Sequence, residues 1–226
     1  MAGVYSAMIT PFTKDDKVNE GVIDQLIEYG IESGLRGFYL TGGTGEFTLM
    51  TVEERKQVFR RAAKAAKGRA KLIAHVGATR TDDAAELARY AEKVGCDWVS
   101  SVAPIYYGQN AAAQYAHYKM ISEASGLPLM IYCFGNTLVP ERDLRLFDLK
   151  NVKGMKYTGS DYYGNRGCCC DLGPNFSAIL VCLLRCSALL VAKADLGLRQ
   201  LPVFPPTTRN PLKEKMHCIG PINFQK

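Results

Sequence analysis

Apolar and polar positions recur with two different periods along the first 158 residues of the chain. Short apolar runs of strand length alternate with longer segments in which apolar residues recur every three or four positions, as on one face of a helix. Repeats of this kind predict a parallel sheet with helices packed on its outside. The six predicted strands are Val4–Ile9, Gly37–Thr41, Lys71–Val76, Trp98–Val102, Leu127–Tyr132 and Val152–Tyr157.

Capping residues and glycines mark the ends of the intervening helices. Asparagine, threonine and glutamate side chains satisfy free amides in the first turn of a helix, and glycine commonly follows its last turn. The predicted helices run from Glu20 to Ser33 after Asn19, from the capping box Thr51–Glu54 to Gly68, from the cap Thr81 to Gly95, and over Ala111–Ser125, with a short helix at Pro140.

Polar residues follow the strands at their carboxyl ends, which decides between two architectures. An open, doubly wound sheet would concentrate its functional groups where the strand order reverses. A closed barrel collects them from the ends of several strands. Here they come from five strands, which predicts an α/β fold of the (β/α)8 TIM barrel type: Thr10, Thr44, Tyr106, Tyr132 and Lys156.

The alternation of strands and helices ends near Tyr163. The segment 164–226 holds six of the ten prolines and six of the eight cysteines, but only three acidic residues. Its most apolar stretch, Phe176–Ala194, contains Arg185 and falls short of the roughly 20 apolar residues that cross a bilayer. We therefore predict an incomplete barrel over residues 1–163, with strands seven and eight unrecognisable, and an atypical tail that is frameshifted or disordered. An ordinary variable C-terminal region is the alternative.

Composition and charge narrow the class of protein. The 226 residues are 47% hydrophobic, which is enough for one sizeable core. The net charge of +6 is mild, and no basic run alternates with aromatic residues, so neither nucleic acid nor membrane is an expected partner. No Cys-x-x-Cys pair and no secretion signal occur, so we predict no metal site, no disulfide framework and a cytoplasmic location.

Lys156 is the first candidate for chemistry. Alternation along its predicted strand places Val152, Gly154 and Thr158 on the same face. A lysine on a buried face of this kind is costly to charge, so its pKa falls, and a neutral amine can form a Schiff base with a ketone. The alternative is a surface strand whose lysine lies in water, where most lysines are found.

The glycine-rich segment Thr41–Glu46 joins a predicted strand to a helix. Its glycines allow backbone amides to approach an anion, and Thr44 adds a hydroxyl donor. No Gly-Lys-Ser/Thr follows, and Thr48 stands where a dinucleotide-binding loop has its third glycine. The segment is interpreted as a carboxylate cradle, with an ordinary turn as the alternative. His75, on an apolar strand, is expected to be a core or interface histidine.

Six motifs in this order and spacing resemble the N-acetylneuraminate lyase / dihydrodipicolinate synthase family of class I aldolases. They are Ala7–Phe12, Gly42–Glu46, Leu72–Gly77, Ala103–Tyr107, Ile131–Tyr132 and Gly154–Thr158. The resemblance covers residues 3–163 and implies a TIM barrel enzyme that acts on a 2-keto acid without a cofactor.

The resemblance implies three catalytic residues. Lys156 corresponds to the lysine that captures the keto acid as a Schiff base, and Tyr132 to the phenol that relays protons. Tyr106 corresponds to a tyrosine that the family contributes across a subunit interface, which implies a homo-oligomer, a tetramer in this family.

The resemblance also implies the substrate-binding residues. Thr44 and the backbone amides from Gly43 to Gly45 correspond to the holder of the substrate carboxylate. Thr158 corresponds to a threonine near the sugar part of the substrate in the lyase branch.

Residues that follow the lysine motif and Tyr132 favour the lyase branch. Ser160 and Asp161 follow the lysine motif as in lyases, and Thr137 stands where synthases usually carry an arginine; the nearby Arg142 is expected to be solvated. The implied reaction is cleavage of N-acetylneuraminate, or a related 2-keto sugar acid, to pyruvate and an aldehyde sugar. Three alternatives are a synthase-like condensation of pyruvate with an aldehyde, a truncated inactive relative, and a module that binds keto acids without forming an imine.

The chain departs from the family pattern in three places. Gly43 stands where the family usually has a hydroxyl residue, and Cys133–Gly135 replaces Asn-x-Pro. The tail matches neither the acidic pair nor the serine that strands seven and eight contribute for sugar hydroxyls.

Overall fold

The computed structural model of the chain describes residues 3–134, 144–158, 177–181 and 188–193, the last two ranges as backbone only. Their strands form a closed barrel in sequence order. The strands are β1 (Gly3–Ala7), β2 (Gly37–Leu40), β3 (Lys71–His75), β4 (Trp98–Val102), β5 (Leu129–Cys133), β6 (Val152–Tyr157), β7 (Ser177–Val181) and β8 (Ala188–Lys193).

Strands β1 to β7 pair as parallel neighbours, as the alternating pattern predicts. Strand β8 closes the ring and runs antiparallel to both β7 and β1. The predicted TIM barrel architecture is confirmed for the first six strands.

The seventh and eighth strands lie in the apolar stretch that carried no predicted element. They pair with the two edges that six strands alone would leave open. All eight strands belong to one compact unit, Met1–Asp195. The predicted division at residue 163 and the predicted nature of the tail concern residues largely outside the described part, and they stay predictions.

Among the described residues, four helices cover the outside of the barrel, one 3₁₀ segment follows strand β2 and another precedes strand β6. The helices are α1 (Glu20–Glu32), α2 (Val52–Ala66), α3 (Thr81–Val94) and α4 (Ala111–Ala124), and the 3₁₀ turns are Phe47–Leu49 and Leu144–Asp148. The predicted helix at Pro140 lies outside the described residues. No described helix combines the length and apolarity that crossing a membrane requires.

The predicted caps are confirmed at two helices and wrong at a third. Asn19 accepts a hydrogen bond from the amide of Val22 at the start of α1, and Thr51 forms a capping box with Glu54 at the start of α2. Thr81 is the first residue of α3 instead of its cap. Its hydroxyl lies 2.9 Å from Nδ1 of His117, so a tertiary contact takes the place of the local one.

Two apolar layers hold the barrel together. The layer inside the ring contains Tyr5, Tyr39, Ile73 and Met130. The layer between strands and helices contains fully buried side chains from every described helix, among them Ile23, Phe59, Leu87 and Ile121. Each such side chain contributes roughly 1.5–3 kcal/mol to stability relative to an exposed one. Successive strand residues point to opposite faces, so each strand supplies side chains to both layers.

An irregularity in β6 corrects the predicted face of Val152. Leu129 pairs with Val152, but the next residue, Met130, pairs with Gly154, so Lys153 is an extra residue. Such a bulge shifts the alternation by one position. Val152 therefore packs with Met155 in the layer that faces the helices, and it does not share the face of Lys156.

Candidate active site

Lys156 lies inside the barrel near the carboxyl end of β6, with 4% of its surface exposed. Its Nζ lies 3.4 Å from the centroid of the Tyr132 ring and 4.3 Å from that of Tyr39. Burial lowers the pKa of this amine from 10.5 to about 7. The interpretation as a solvated surface lysine is wrong, and a large share of the amine is unprotonated and nucleophilic at neutral pH.

Tyr132 occupies the position of β5 directly paired with Lys156 in the sheet register. Burial raises the pKa of its phenol, and a hydrogen bond with the Thr158 side chain acts in the opposite direction. Thr158 also donates to the carbonyl of Cys133, over 3.1 Å, and so ties the end of β6 to the end of β5. The structure thus brings three predicted site residues together.

Tyr39 is a member of this cluster that sequence reasoning missed. Its ring lies below the amine of Lys156 and edge-on to Tyr132, with 6.3 Å between the ring centroids. Its hydroxyl donates to Oγ of Ser100 over 2.9 Å, which fixes the ring. Two aromatic faces favour the charged amine by about 1–2 kcal/mol each, but the pKa of Lys156 is lowered, so burial outweighs them.

The glycine turn, residues Gly42–Gly45, lies at the end of β2 and is held by Thr10, in the segment that follows β1. The hydroxyl of Thr10 donates to the Gly45 carbonyl over 2.7 Å. The Gly45 amide donates to the Gly42 carbonyl over 3.0 Å, within the turn. Gly45 is therefore unavailable as the carboxylate donor that the resemblance implied.

Gly43 and Thr44 remain as the exposed part of the glycine turn. Within the described residues, their amides make no hydrogen bond, so these two amides and the Thr44 hydroxyl are the donors that an anion could use. A Cβ added at Gly43 would meet no atom within 4 Å, whereas one added at Gly42 would come within 2.6 Å of Cε1 of Tyr39. The back of the turn thus packs against the ring below Lys156.

Tyr106 is not brought to Lys156 within the single chain. It is 77% exposed, and its ring contacts that of Tyr107 edge-on, with 4.8 Å between the centroids. Its predicted role across a subunit interface stays a prediction. Ser160, Asp161, Thr137, Arg142 and Gly135 lie outside the described residues.

His75 and Arg55 form a polar layer behind the glycine turn. Sequence reasoning assigned His75 to the core or an interface and gave Arg55 no role. Both are buried, and the His75 ring lies edge-on to Phe47, the residue that begins the 3₁₀ turn, and to Tyr132. The sequence of α2 around Arg55 is charged, and arginines on a helix are usually solvated, so nothing in the sequence distinguished this one. In the part of the chain that is described, no three His, Cys, Asp or Glu side chains are placed to hold a metal ion.

Fold and site together define a (β/α)-barrel protein with a buried lysine and tyrosine side by side at the carboxyl ends of its strands. The sequence model of the dihydrodipicolinate synthetase family matches residues 1–180. The chain belongs to this family, and the resemblance seen in the sequence is confirmed.

Curated relatives include lyases of the same family. The chain is 37% identical over 168 residues to an N-acetylneuraminate lyase of Rhizobium meliloti, a match that covers 72% of this chain and 56% of the relative. It thus spans little more than half the length of that protein.

Solved structures show the same fold. An N-acetylneuraminate lyase from Mycoplasma synoviae superposes with a TM-score of 0.74 at 30% identity, covering 79% of this chain and 62% of that one. A dihydrodipicolinate synthase from Aquifex aeolicus superposes with a TM-score of 0.71 at 28% identity, covering 80% of this chain and 63% of that one.

Proposed function

We propose that this protein is a Schiff-base-forming lyase that cleaves N-acetylneuraminate, or a related 2-keto sugar acid, to pyruvate and an aldehyde sugar. The observation that carries the proposal is the buried amine of Lys156, with a pKa of about 7, against the ring of Tyr132. The similarity to N-acetylneuraminate lyases supports the choice of substrate.

The first step joins the enzyme to the keto group. The lone pair of Nζ of Lys156 attacks C2 of the substrate, and a proton shift gives a carbinolamine. Tyr132 donates its proton as the hydroxyl leaves as water, which forms an iminium ion and a phenolate. The raised pKa of Tyr132 fits this order, because the phenol is protonated at rest.

The second step breaks the carbon–carbon bond. The phenolate of Tyr132 accepts the proton of the C4 hydroxyl, the C3–C4 bond cleaves, and its electron pair moves into the iminium to give an enamine and the aldehyde sugar. The phenol then protonates C3 and becomes a phenolate again. Water hydrolyses the new iminium to pyruvate and the neutral amine of Lys156, and the proton released returns to Tyr132. The iminium nitrogen accepts the electrons throughout, so these steps call on neither a metal ion nor an organic cofactor.

The glycine turn holds the carboxylate of the substrate in this proposal. The hydroxyl and amide of Thr44 and the amide of Gly43 donate to it, and Thr158 faces the sugar part. Tyr106 acts from a neighbouring subunit of a homo-oligomer, a tetramer, where its exposed ring is covered.

Reduction with borohydride in the presence of pyruvate tests the proposal. A pyruvyl adduct on the peptide containing Lys156, found by mass spectrometry, supports it. Lys156→Met should abolish the adduct, whereas Lys153→Met, which alters the exposed lysine of the same strand, should keep it. An unmodified Lys156 peptide in the wild-type chain would overturn the proposal and favour the inactive relative.

Cleavage is measured separately, with N-acetylneuraminate as substrate and release of pyruvate as the signal. Release of pyruvate supports the lyase reaction. An adduct without release would retain the Schiff base but reject this sugar acid, and consumption of pyruvate with an added aldehyde would favour the synthase-like alternative.

A further inference from the structure

Thr41 joins β2 to the glycine turn in a conformation that its side chain disfavours. Its φ of 45° lies in the left-handed region, which is uncommon and unfavourable for a β-branched residue. Such backbone persists only where neighbouring contacts hold it. The hydrogen bonds that do so here come from His75 on the adjacent strand.

Thr41 and His75 hold each other through two hydrogen bonds. Nδ1 of His75 donates to the Thr41 carbonyl over 2.9 Å, and the Thr41 hydroxyl donates to the His75 carbonyl over 3.2 Å. A carbonyl can only accept, so Nδ1 carries the proton. Gly77 makes room for the ring, because a Cβ there would come within 2.8 Å of Nε2 of His75.

Arg55 anchors this pair from α2. Its guanidinium donates to the carbonyls of His75 and Gly77 and lies 5.5 Å from the centroid of the Phe47 ring. Phe47 directly follows Glu46 at the end of the glycine-rich segment. Arg55 thus connects helix α2, the end of β3 and the residue that leads out of the turn.

The charges of this group oppose stability. Arg55 is 3% exposed and, within the described residues, has no ion pair and no hydrogen bond at Nε. Burial lowers its pKa to about 10, so it remains charged at neutral pH. Burial, and then the charges of Arg55 and Lys156, lower the pKa of His75 well below its ordinary value, so His75 is neutral.

Backbone strain and an unpaired buried charge therefore meet directly behind the glycine turn. Departures from the rules of stable packing concentrate at functional sites in natural proteins. The strained backbone of Thr41 lies where the turn leaves β2, and the buried charge of Arg55 lies against Phe47, where the chain continues. Both features therefore act on the geometry of the turn.

We propose that Thr41, His75 and Arg55, which we name the turn brace, are positioning residues that hold the donors of the glycine turn in place for the substrate carboxylate. The turn brace touches no reacting atom in this proposal, which rests on the proposed function. Its loss weakens the hold on the carboxylate and leaves the reactivity of Lys156 unchanged.

Two carbonyl compounds separate these effects in the full-length chain. Borohydride trapping at Lys156 is measured against the concentration of pyruvate and of methyl pyruvate, which has the same keto group but no negative charge.

His75→Leu removes the donor to Thr41, and His75→Asn retains an N–H donor near the position of Nδ1. For His75→Leu we expect the half-saturating concentration of pyruvate to rise about tenfold, the usual effect of losing hydrogen bonds to a charged group, with less than a twofold change for methyl pyruvate. His75→Asn should restore most of the loss.

An equal loss with both compounds would overturn the turn brace and assign His75 a general role in the fold. Should His75→Leu fail to fold, Thr41→Val keeps the size and branching but loses the hydroxyl proton, and Thr41→Ser keeps it. The same preferential loss with pyruvate is expected for Thr41→Val only, and its absence contradicts the proposal. If the wild-type chain traps neither compound, the proposed function itself fails, which is a different result from a wild type that traps both and variants that lose both equally.

Discussion

Lys156 and Tyr132 are directly paired across neighbouring strands, with the amine 3.4 Å from the centroid of the phenol ring. The pairing is set by backbone hydrogen bonds of the sheet, so the Cα atoms that carry the two side chains stay next to each other unless the register changes. In the proposed reaction these two side chains are the nucleophile and the proton relay, and the strands place their backbones side by side.

Replacing Lys156 should stabilise the protein. The folded state holds this amine at a pKa of about 7 instead of 10.5. At pH 7, burying the amine therefore costs free energy, because it is fully protonated in the unfolded chain and only partly protonated in the folded one. At 1.36 kcal/mol for each pKa unit, Lys156→Met is expected to raise the free energy of unfolding by roughly 2–4 kcal/mol at pH 7. Urea denaturation measures it.

The pH dependence and a neighbouring lysine provide the controls for this stabilisation. A lowered lysine pKa makes the wild type more stable as pH rises from 7 to 10.5. The advantage of Lys156→Met should therefore shrink over that range. Lys153→Met, at an exposed position, should change stability by less than about 0.5 kcal/mol. A destabilised Lys156→Met protein would contradict the assigned burial.

Adduct formation should follow the titration of Lys156. Only the neutral amine attacks a ketone, so the initial rate of trapping with pyruvate should rise to half its maximum near pH 7. A free surface lysine would show its midpoint above pH 10. Initial rates at several pH values, read by mass spectrometry, decide between the two; a rate that keeps rising to pH 10 contradicts the shift.

Two adjacent glycines of the turn should respond differently to alanine. Gly42→Ala places a Cβ 2.6 Å from the buried Tyr39 ring, so the ring below Lys156 must move and trapping should fall at least tenfold. Gly43→Ala meets open space and should change trapping less than threefold. Gly43→Ser adds a donor beside Thr44 and should lower the half-saturating pyruvate concentration by about tenfold. Equal behaviour of Gly42→Ala and Gly43→Ala would contradict the packing of the turn on Tyr39.

Acid should destabilise the protein through His117. Burial lowers the pKa of this imidazole from 6.5 to about 4, so the unfolded chain binds a proton that the folded chain resists. Stability present above pH 6.5 is then lost as pH falls toward 4, by roughly 3 kcal/mol. Urea denaturation from pH 7 to 4 measures the loss, and His117→Gln, which cannot titrate, should lose correspondingly less. Parallel curves for the two proteins would rule out this contribution.

The strands and helices that could be predicted from sequence are those whose signals are local. The caps at Asn19 and Thr51 and the periods of six strands need only neighbouring residues. The wrong predictions involve distant partners: Thr81 bonds His117 on another helix, and the bulge at Lys153 appears only when β5 pairs with β6. Strands β7 and β8 show no period that predicted them, and what defines them is their pairing with β6 and β1 at distant positions in the sequence.

The residues of the candidate site also divide into those with a local signal in the sequence and those defined by distant contacts. Lys156, Tyr132 and Thr44 stand in motifs, so sequence reasoning found them. Tyr39 and Arg55 act through contacts with residues 20 or more positions away, including Ser100 and His75, and neither contact leaves a mark in the local sequence.

The direction of β8 determines how many of the described strands end beside Lys156. In a barrel whose strands all run one way, every strand leads the chain up to the catalytic rim. Strand β8 instead brings Lys193 level with Ser177, the first residue of β7, and so leads the chain down to the floor. Of the eight described strands, seven therefore end at the edge of the barrel where Lys156 lies, and β8 begins at that edge.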